Sequence, residues 1–247
     1  MTNRPDGRAS NHLRPVTFTP NFTAHAEGSV LVKTGQTWVL CNASVEDGVP
    51  PWREASGSGW LTAEYAMLPR STHRRISRRR GGESSRSQEI QRLIGRSLRA
   101  AFDLDVLGQR TVIVDCDVIQ ADGGTRTAGI TGGYVAVVLA LDKLIAAGKI
   151  PKSVLLQPVA AVSVGMVDNT CLLDLCYEED SAAAVDLNVV ITGEGKFIEI
   201  QGTAEGQPFA QAELLAMLAL ARQGIDSLLV EQQKALGQAT QHRSAAG

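Results

Sequence analysis

The tract Ile119-Gln-Ala-Asp-Gly-Gly-Thr-Arg-Thr-Ala128 leads an alternating strand pattern through two glycines straight into a long apolar helical pattern, with Thr125 and Arg126 at the helix entrance. This junction constrains the chain more than any other. Backbone N–H groups at a helix N-terminus point outward unpaired, glycine lets an anion approach them, and an arginine adds a bidentate charge-assisted grip. The tract therefore predicts a phosphate site built from Gly124, Thr125 and Arg126. No G-K-[ST] follows, so it is not a Walker A loop, and the dinucleotide spacing G-x-G-x-x-G is also absent. An ordinary Gly-Gly turn would show the same residues, and the rest of the chain decides between the two readings.

Periodicity around the junction predicts a mixed α/β chain. Ser29 to Lys33 and Thr37 to Val45 read as strands joined by a three-residue loop at Thr34-Gly35-Gln36. Thr111 to Ile119 alternates, with Val112, Val114, Cys116 and Val118 on one face and Asp115 and Asp117 on the other. From Ser87 the period becomes helical, and Ser85 with Gln88 fits a capping box that puts Arg86 at the first helical position. A helix from Arg126 to Ala147 ends at Gly148. Four strands follow, near Val159–Met166, Cys171–Tyr177, Val185–Thr192 and Lys196–Thr203, then two helices, Phe209 to Arg222 and one capped by Asp226. Residues 1–238 read as one domain in two similar halves, about 1–148 and 149–238, each running from hairpin strands to helix, with a disordered tail at 239–247.

Charge is polarised along the 247 residues although the net charge is only -2. Between Arg70 and Arg99 stand ten arginines against Glu83 and Glu89. The stretch from Pro69 to Ser85 is nearly devoid of apolar residues, so it reads as a loop, with Arg70, Arg74, Arg75, Arg78, Arg79 and Arg80 as candidates for contacting an RNA or DNA backbone. Aromatic residues make up 4% of the chain, which favours recognition of the nucleic-acid backbone over base readout. Between Asp174 and Glu199 seven acids face a single lysine, Lys196. Asp186 interrupts an apolar strand, where a carboxylate needs a partner. Asp180 lies six residues earlier, roughly 20 Å away if the chain were extended. The small residues Ser181 to Ala184 allow it to curl back, and the two carboxylates would then hold Mg²⁺ together with phosphate oxygens. A solvated hairpin tip has the same composition. Asp115 and Asp117 read as structural. No His, Cys and Asp arrangement at zinc or triad spacing occurs.

The four cysteines form no C-x-x-C pair and lie in apolar strand-like runs. The N-terminal arm is polar and no run approaches the twenty apolar residues of a membrane span. Reduced cysteines, no membrane and a cytoplasmic location are expected.

Long tracts of the chain closely resemble the ribonuclease PH family: Arg4-Pro-Asp-Gly-Arg8, His25-Ala-Glu-Gly-Ser-Val-Leu31, Ala43-Ser-Val-Glu46, Thr62 to Arg70, Gln88 to Arg96, Asp115 to Thr127, Asp174 to Asp180, and Val185-Asp-Leu-Asn188. The resemblance runs in order from about Arg4 to Leu236. It implies a duplicated ribosomal protein S5 domain 2-like fold and a homohexamer built as a trimer of dimers. The implied activity is phosphorolytic 3′ to 5′ exoribonuclease action, trimming the 3′ trailer of precursor tRNA and other RNA 3′ ends with inorganic phosphate as co-substrate, and Mg²⁺ is expected as cofactor from the carboxylate pair. Nucleoside diphosphates leave, the reverse reaction adds nucleotides, and a wider role in rRNA turnover is compatible. The family's phosphate ligands fall on Arg86, Gly124, Thr125 and Arg126, and its catalytic acidic pair on Asp180 and Asp186, the two carboxylates already read as holding Mg²⁺. One departure is Ser85, which stands where the family commonly has glycine before the phosphate arginine. Two other classes are a silent ring subunit that only threads RNA, and a Mg²⁺-dependent hydrolytic nuclease releasing monophosphates.

Overall fold

The computed structural model describes residues 4–77 and 84–245. Arg78, Arg79 and Arg80 of the expected RNA-facing set lie outside the described residues. The first half forms a five-stranded sheet from β1 (Val16–Pro20), β2 (Gly28–Thr34), β3 (Thr37–Asp47), β4 (Trp60–Met67) and β5 (Arg110–Gln120). The strand order is β1-β2-β3-β5-β4, and β4 alone runs parallel to its neighbour. That parallel pairing needs a crossover, supplied by α2 (Ser85–Arg99), while α1 (Pro51–Glu54) and α3 (Leu104–Leu107) fill the connections. Val112, Val114, Cys116 and Val118 of β5 are fully buried, so the alternating pattern sets the sheet's inner face as expected.

One local expectation is corrected here. Thr34 pairs with Thr37, so the β2–β3 loop is the two residues Gly35-Gln36 and not three. The polar N-terminal arm contains the edge strand β1, whose alternate residues are partly covered and whose Phe18 packs on the core.

The second half is a four-stranded antiparallel sheet, β6 (Val159–Val167), β7 (Thr170–Leu173), β8 (Val185–Thr192) and β9 (Phe197–Ala204), in the order β7-β6-β8-β9. Between the sheets runs α4 (Thr125–Ala146), with every residue from Thr127 to Leu141 buried. A helix apolar on all sides is stable only when covered on all sides, and β2, β3, β6 and a C-terminal helix cover this one. Its 22 residues, with a mean hydropathy of 1.5 over an 18-residue window, do reach the length and composition of a membrane span, against expectation, but 78% of that window is buried inside the protein.

The C-terminal helix is a single element, α6 (Gln211–Ala245), and not two helices followed by a tail. Asp226 does not cap a second helix but pairs with Arg222 one turn earlier, at 2.9 Å. Met217, Ala221, Ile225 and Leu228 recur at helical spacing and bury against the second sheet. Farther along, the Gln232 amide donates to the carbonyls of Thr131 and Val159, fastening α6 to α4 and β6.

Candidate anion and carboxylate site

At the end of β5 the chain turns through Gly123 (φ +74°) and Gly124 (φ +66°) into α4. A Cβ on Gly123 would sit 2.5 Å from the Leu175 carbonyl oxygen, so only glycine fits between this loop and the segment carrying the acids. Gly124 is the N-cap and brings no capping side chain, leaving the first-turn N–H groups of α4 for an outside acceptor. The Tyr65 hydroxyl, on β4, lies 2.8 Å from Thr125 Oγ1. Burial pushes that hydroxyl's pKa up, and the Thr125 contact with the charges of Arg86 and Arg126 pulls it back.

Two elements set the Arg126 side chain. Its Nη1 donates to Gln201 Oε1 of β9 at 2.6 Å and to Glu89 Oε1 of α2 at 3.2 Å, and the Gln201 amide donates to the same Glu89 oxygen at 2.9 Å. Arg86 lies in the first turn of α2. The helix starts one residue earlier than the expected capping box: Ser84, not Ser85, is the N-cap and accepts from the Ser87 N–H at 3.0 Å, so Arg86 is the second helical residue. It is exposed, and its guanidinium makes no hydrogen bond or ion pair among the described residues. Both arginines keep donors for an anion.

The acidic segment is not a hairpin tip. It forms a short helix, α5 (Tyr177–Ala182), closed by a reciprocal cap between Cys176 and Glu179. Cys176 thus sits at a helix cap and not in a strand, and all four cysteines are free thiols. Asp180 lies on α5, the chain bends at Ala183, and Asp186 is the second residue of β8, paired with Gly165 and Thr203. Burial first, then the charge of Asp186, raises the Asp180 pKa, while Arg86, Arg126 and Arg14 pull it down. Asp186, Arg86 of α2 and Arg126 of α4 thus all act on Asp180 at close range. Neither carboxylate accepts a protein hydrogen bond among the described residues. Two hard, mutually repelling oxygen donors without protein partners among the described residues are of the kind that could hold a divalent cation. Asp115 and Asp117 lie elsewhere, on the outer face of the first sheet; burial raises both, helped by Asp117 for the first and Glu64 for the second.

The sequence model for domain 1 of the 3′ exoribonuclease family matches residues 12–141, and that for domain 2 matches residues 157–224. This chain belongs to the 3′ exoribonuclease family. Solved structures agree on the fold. Rice (Oryza sativa) Rrp46 is 19% identical with a TM-score of 0.77, over 94% of this chain and 100% of that one. The Archaeoglobus fulgidus exosome with RNA bound to the active site gives 22% identity and a TM-score of 0.78, over 92% and 91% of the two chains. An archaeal exosome core gives 22% and 0.75, over 92% and 90%.

In this exoribonuclease-family chain a second set of residues, not foreseen from the sequence, braces the site. Arg14 is buried and clasps Asp174 with Nη2 at 2.7 Å and Nε at 3.1 Å, while donating to the carbonyl of Asp122 in the anion loop. The Asp122 carboxylate accepts from the Tyr177 N–H that opens α5. Thr37 Oγ1 accepts from Asp122 N and donates to the Gly123 carbonyl. Arg4 grips Glu179 with two hydrogen bonds, 2.6 and 2.7 Å. The N-terminal arm thus ties the acid-bearing helix to the anion loop. Arg4 is visible in the Arg4-Pro-Asp-Gly-Arg8 motif and Arg14 lies outside it, but nothing local to either names acids that stand in the far half of the chain. Of the basic segment, Arg70, Arg74 and Arg75 are exposed; Arg70 donates to the His73 carbonyl, and the Ser71 carbonyl accepts from Ala121 N beside the anion loop.

Proposed function

We propose that this protein is a phosphorolytic 3′ to 5′ exoribonuclease that trims RNA 3′ ends, with the trailer of precursor tRNA as its principal substrate. The observation that carries the reading is the convergence of an uncapped helix N-terminus and two arginines, Arg86 and Arg126, on the paired carboxylates Asp180 and Asp186. Family membership supplies the reaction class, and the Archaeoglobus fulgidus exosome, which shares the fold, has RNA bound to its active site.

The α4 N–H groups near Gly124 and Thr125, with Arg126 and Arg86, hold inorganic phosphate and orient one oxygen toward the terminal phosphodiester. That oxygen forms a new bond to phosphorus, the bond from phosphorus to the 3′-oxygen of the preceding nucleotide breaks, and a nucleoside diphosphate leaves. The hydrogen phosphate carries the proton that the new 3′-hydroxyl requires. Asp180 and Asp186 would hold Mg²⁺, which supplies charge neutralisation at the transferring phosphorus and the leaving oxygen. Tyr65 fixes the Thr125 hydroxyl, and the Glu89–Gln201 pair fixes Arg126, so the anion grip is set before phosphate arrives. The exposed Arg70, Arg74 and Arg75 suit the RNA backbone as it approaches. The intact arginine and aspartate set favours an active subunit over a silent one, and a loop built for an anionic nucleophile favours phosphorolysis over hydrolysis. A homohexamer of three dimers in the cytoplasm completes the proposal; four free thiols suit a reducing compartment.

Phosphorolysis exchanges one phosphate linkage for another and runs near equilibrium. Excess nucleoside diphosphate with Mg²⁺ should therefore extend an RNA 3′ end and release phosphate. A protein that shortens RNA but never extends it under these conditions is a hydrolase.

A further inference from the structure

Tyr177 is a large aromatic residue left 55% exposed on the short helix that carries Asp180. It opens α5, one turn before Asp180, and residues three apart on a helix lie on one face with Cβ atoms about 5–6 Å apart. Its backbone is locked by the N–H bond to Asp122, so the ring is carried on a rigid base between the anion loop and the acid pair. Across from it, on the basic loop, is the exposed ring of His73, with centroids 6.5 Å apart and planes inclined at 57°. Arg70 holds the His73 carbonyl at 2.9 Å.

We propose that Tyr177 is the stacking platform for a nucleobase at the RNA 3′ end, with His73 as the tilted second wall of the subsite. This deepens the exoribonuclease reading and rests on it. A base sandwiched between two parallel rings needs two contact distances of about 3.5 Å each, and the tilted pair is closer than that. The rings form a corner instead: the face of Tyr177 takes the base, and His73 meets its edge. Stacking uses the π-face that every base has, so the grip is tolerant of sequence, as suits an enzyme that removes nucleotides one after another. The sparse aromatic content favours backbone recognition; this corner adds a base contact where the chain needs only one. The charge of the site suits the same occupant, since Arg70, Arg74 and Arg75 lie on the loop that carries His73 and attract the phosphates flanking the stacked base.

The test is RNA carrying 2-aminopurine at its 3′-terminal nucleotide, bound to the full-length protein without phosphate. The parent should quench the fluorophore, Tyr177→Phe should quench it equally, and Tyr177→Ala should not. In turnover assays with phosphate, Tyr177→Ala should raise the KM for RNA roughly 5- to 150-fold, the range of one lost base stack, with the KM for phosphate unchanged. His73→Ala should show a smaller change of the same kind. Unaltered quenching and RNA KM in Tyr177→Ala overturn the proposal, as does an equal rise in both KM values, which would mean that α5 had moved. Failure of the parent to act with phosphate would reject phosphorolysis instead, and the fluorescence comparison would still decide the stacking.

Discussion

Arg126 is the residue on which three elements converge, since its own helix presents it to the anion site while Gln201 of β9 and Glu89 of α2 hold its Nη1. Replacing Arg126 by alanine removes a charge-assisted contact of about 1.5–3 kcal/mol, so the apparent phosphate constant should rise roughly ten- to a hundredfold while RNA binding changes little. Phosphate saturation curves and a binding isotherm measure the two. Glu89→Ala should raise the same constant by a smaller factor, at most about fivefold, because a half-exposed ion pair contributes roughly 0.2–1 kcal/mol and Gln201 remains. Asp180→Asn and Asp186→Asn should each lower phosphorolysis and its reverse by a common large factor, since both directions share one transition state; unequal losses in the two directions would separate the carboxylates' roles. At this scale the sequence shows the residue types that chemistry demands next to one another: two glycines, a threonine and an arginine at a helix start. Glu89, Gln201 and Tyr65 were not legible, because each reaches the loop from a different strand or helix and no local spacing records that meeting.

Among the elements, α5 shows best what sequence periodicity misses. Six residues with three consecutive acids resemble a solvated loop, and a helix this short does not form on its own. It forms here because Glu179 caps it and because Arg4 and Arg8 from the N-terminal arm pair with that same carboxylate. Burial would raise the Glu179 pKa, but the hydrogen bonds from Arg4 and Cys176 and the charges of Arg4 and Arg8 outweigh it and hold it below the ordinary value. A carboxylate depressed in the folded state stabilises it fully above the ordinary glutamate pKa of 4.5, and that stability is lost as pH falls through the lower folded value. Glu179→Ala should cost about 3–5 kcal/mol at neutral pH by leaving Arg4 buried without its partner, and should flatten the acid limb of the stability profile. Chemical unfolding at neutral and acid pH measures both; an unchanged acid limb would show that Glu179 is not the group titrating. By contrast, the bounds of β8 follow directly from its run of apolar residues around Asp186. The expected break in α6 fails because Gly224 packs inside the helix against Leu173 and Asp226 finds Arg222 on its own helix.

For the whole molecule, the decisive arrangement is two sheets sharing one buried helix, α4, whose N-terminus opens at the junction where α5 and β8 bring the acids. The mixed α/β class was legible from the alternation of strand and helix periods. How the two halves meet was not, since that depends on α4 being covered on all sides and on arginines of the N-terminal arm reaching the far half. Arg74→Ala with Arg75→Ala should weaken tRNA binding and flatten its salt dependence, because fewer counterions are released, while very short oligonucleotides lose less; equal losses on both would assign these arginines to structure and not to RNA docking. The central claim is that phosphate is the nucleophile. Purified protein should be given a tRNA with a 3′ extension and Mg²⁺, with and without inorganic phosphate, and the released nucleotides identified. The account predicts shortening only when phosphate is present, with nucleoside diphosphates as the product; shortening without phosphate, or release of nucleoside monophosphates, would contradict it.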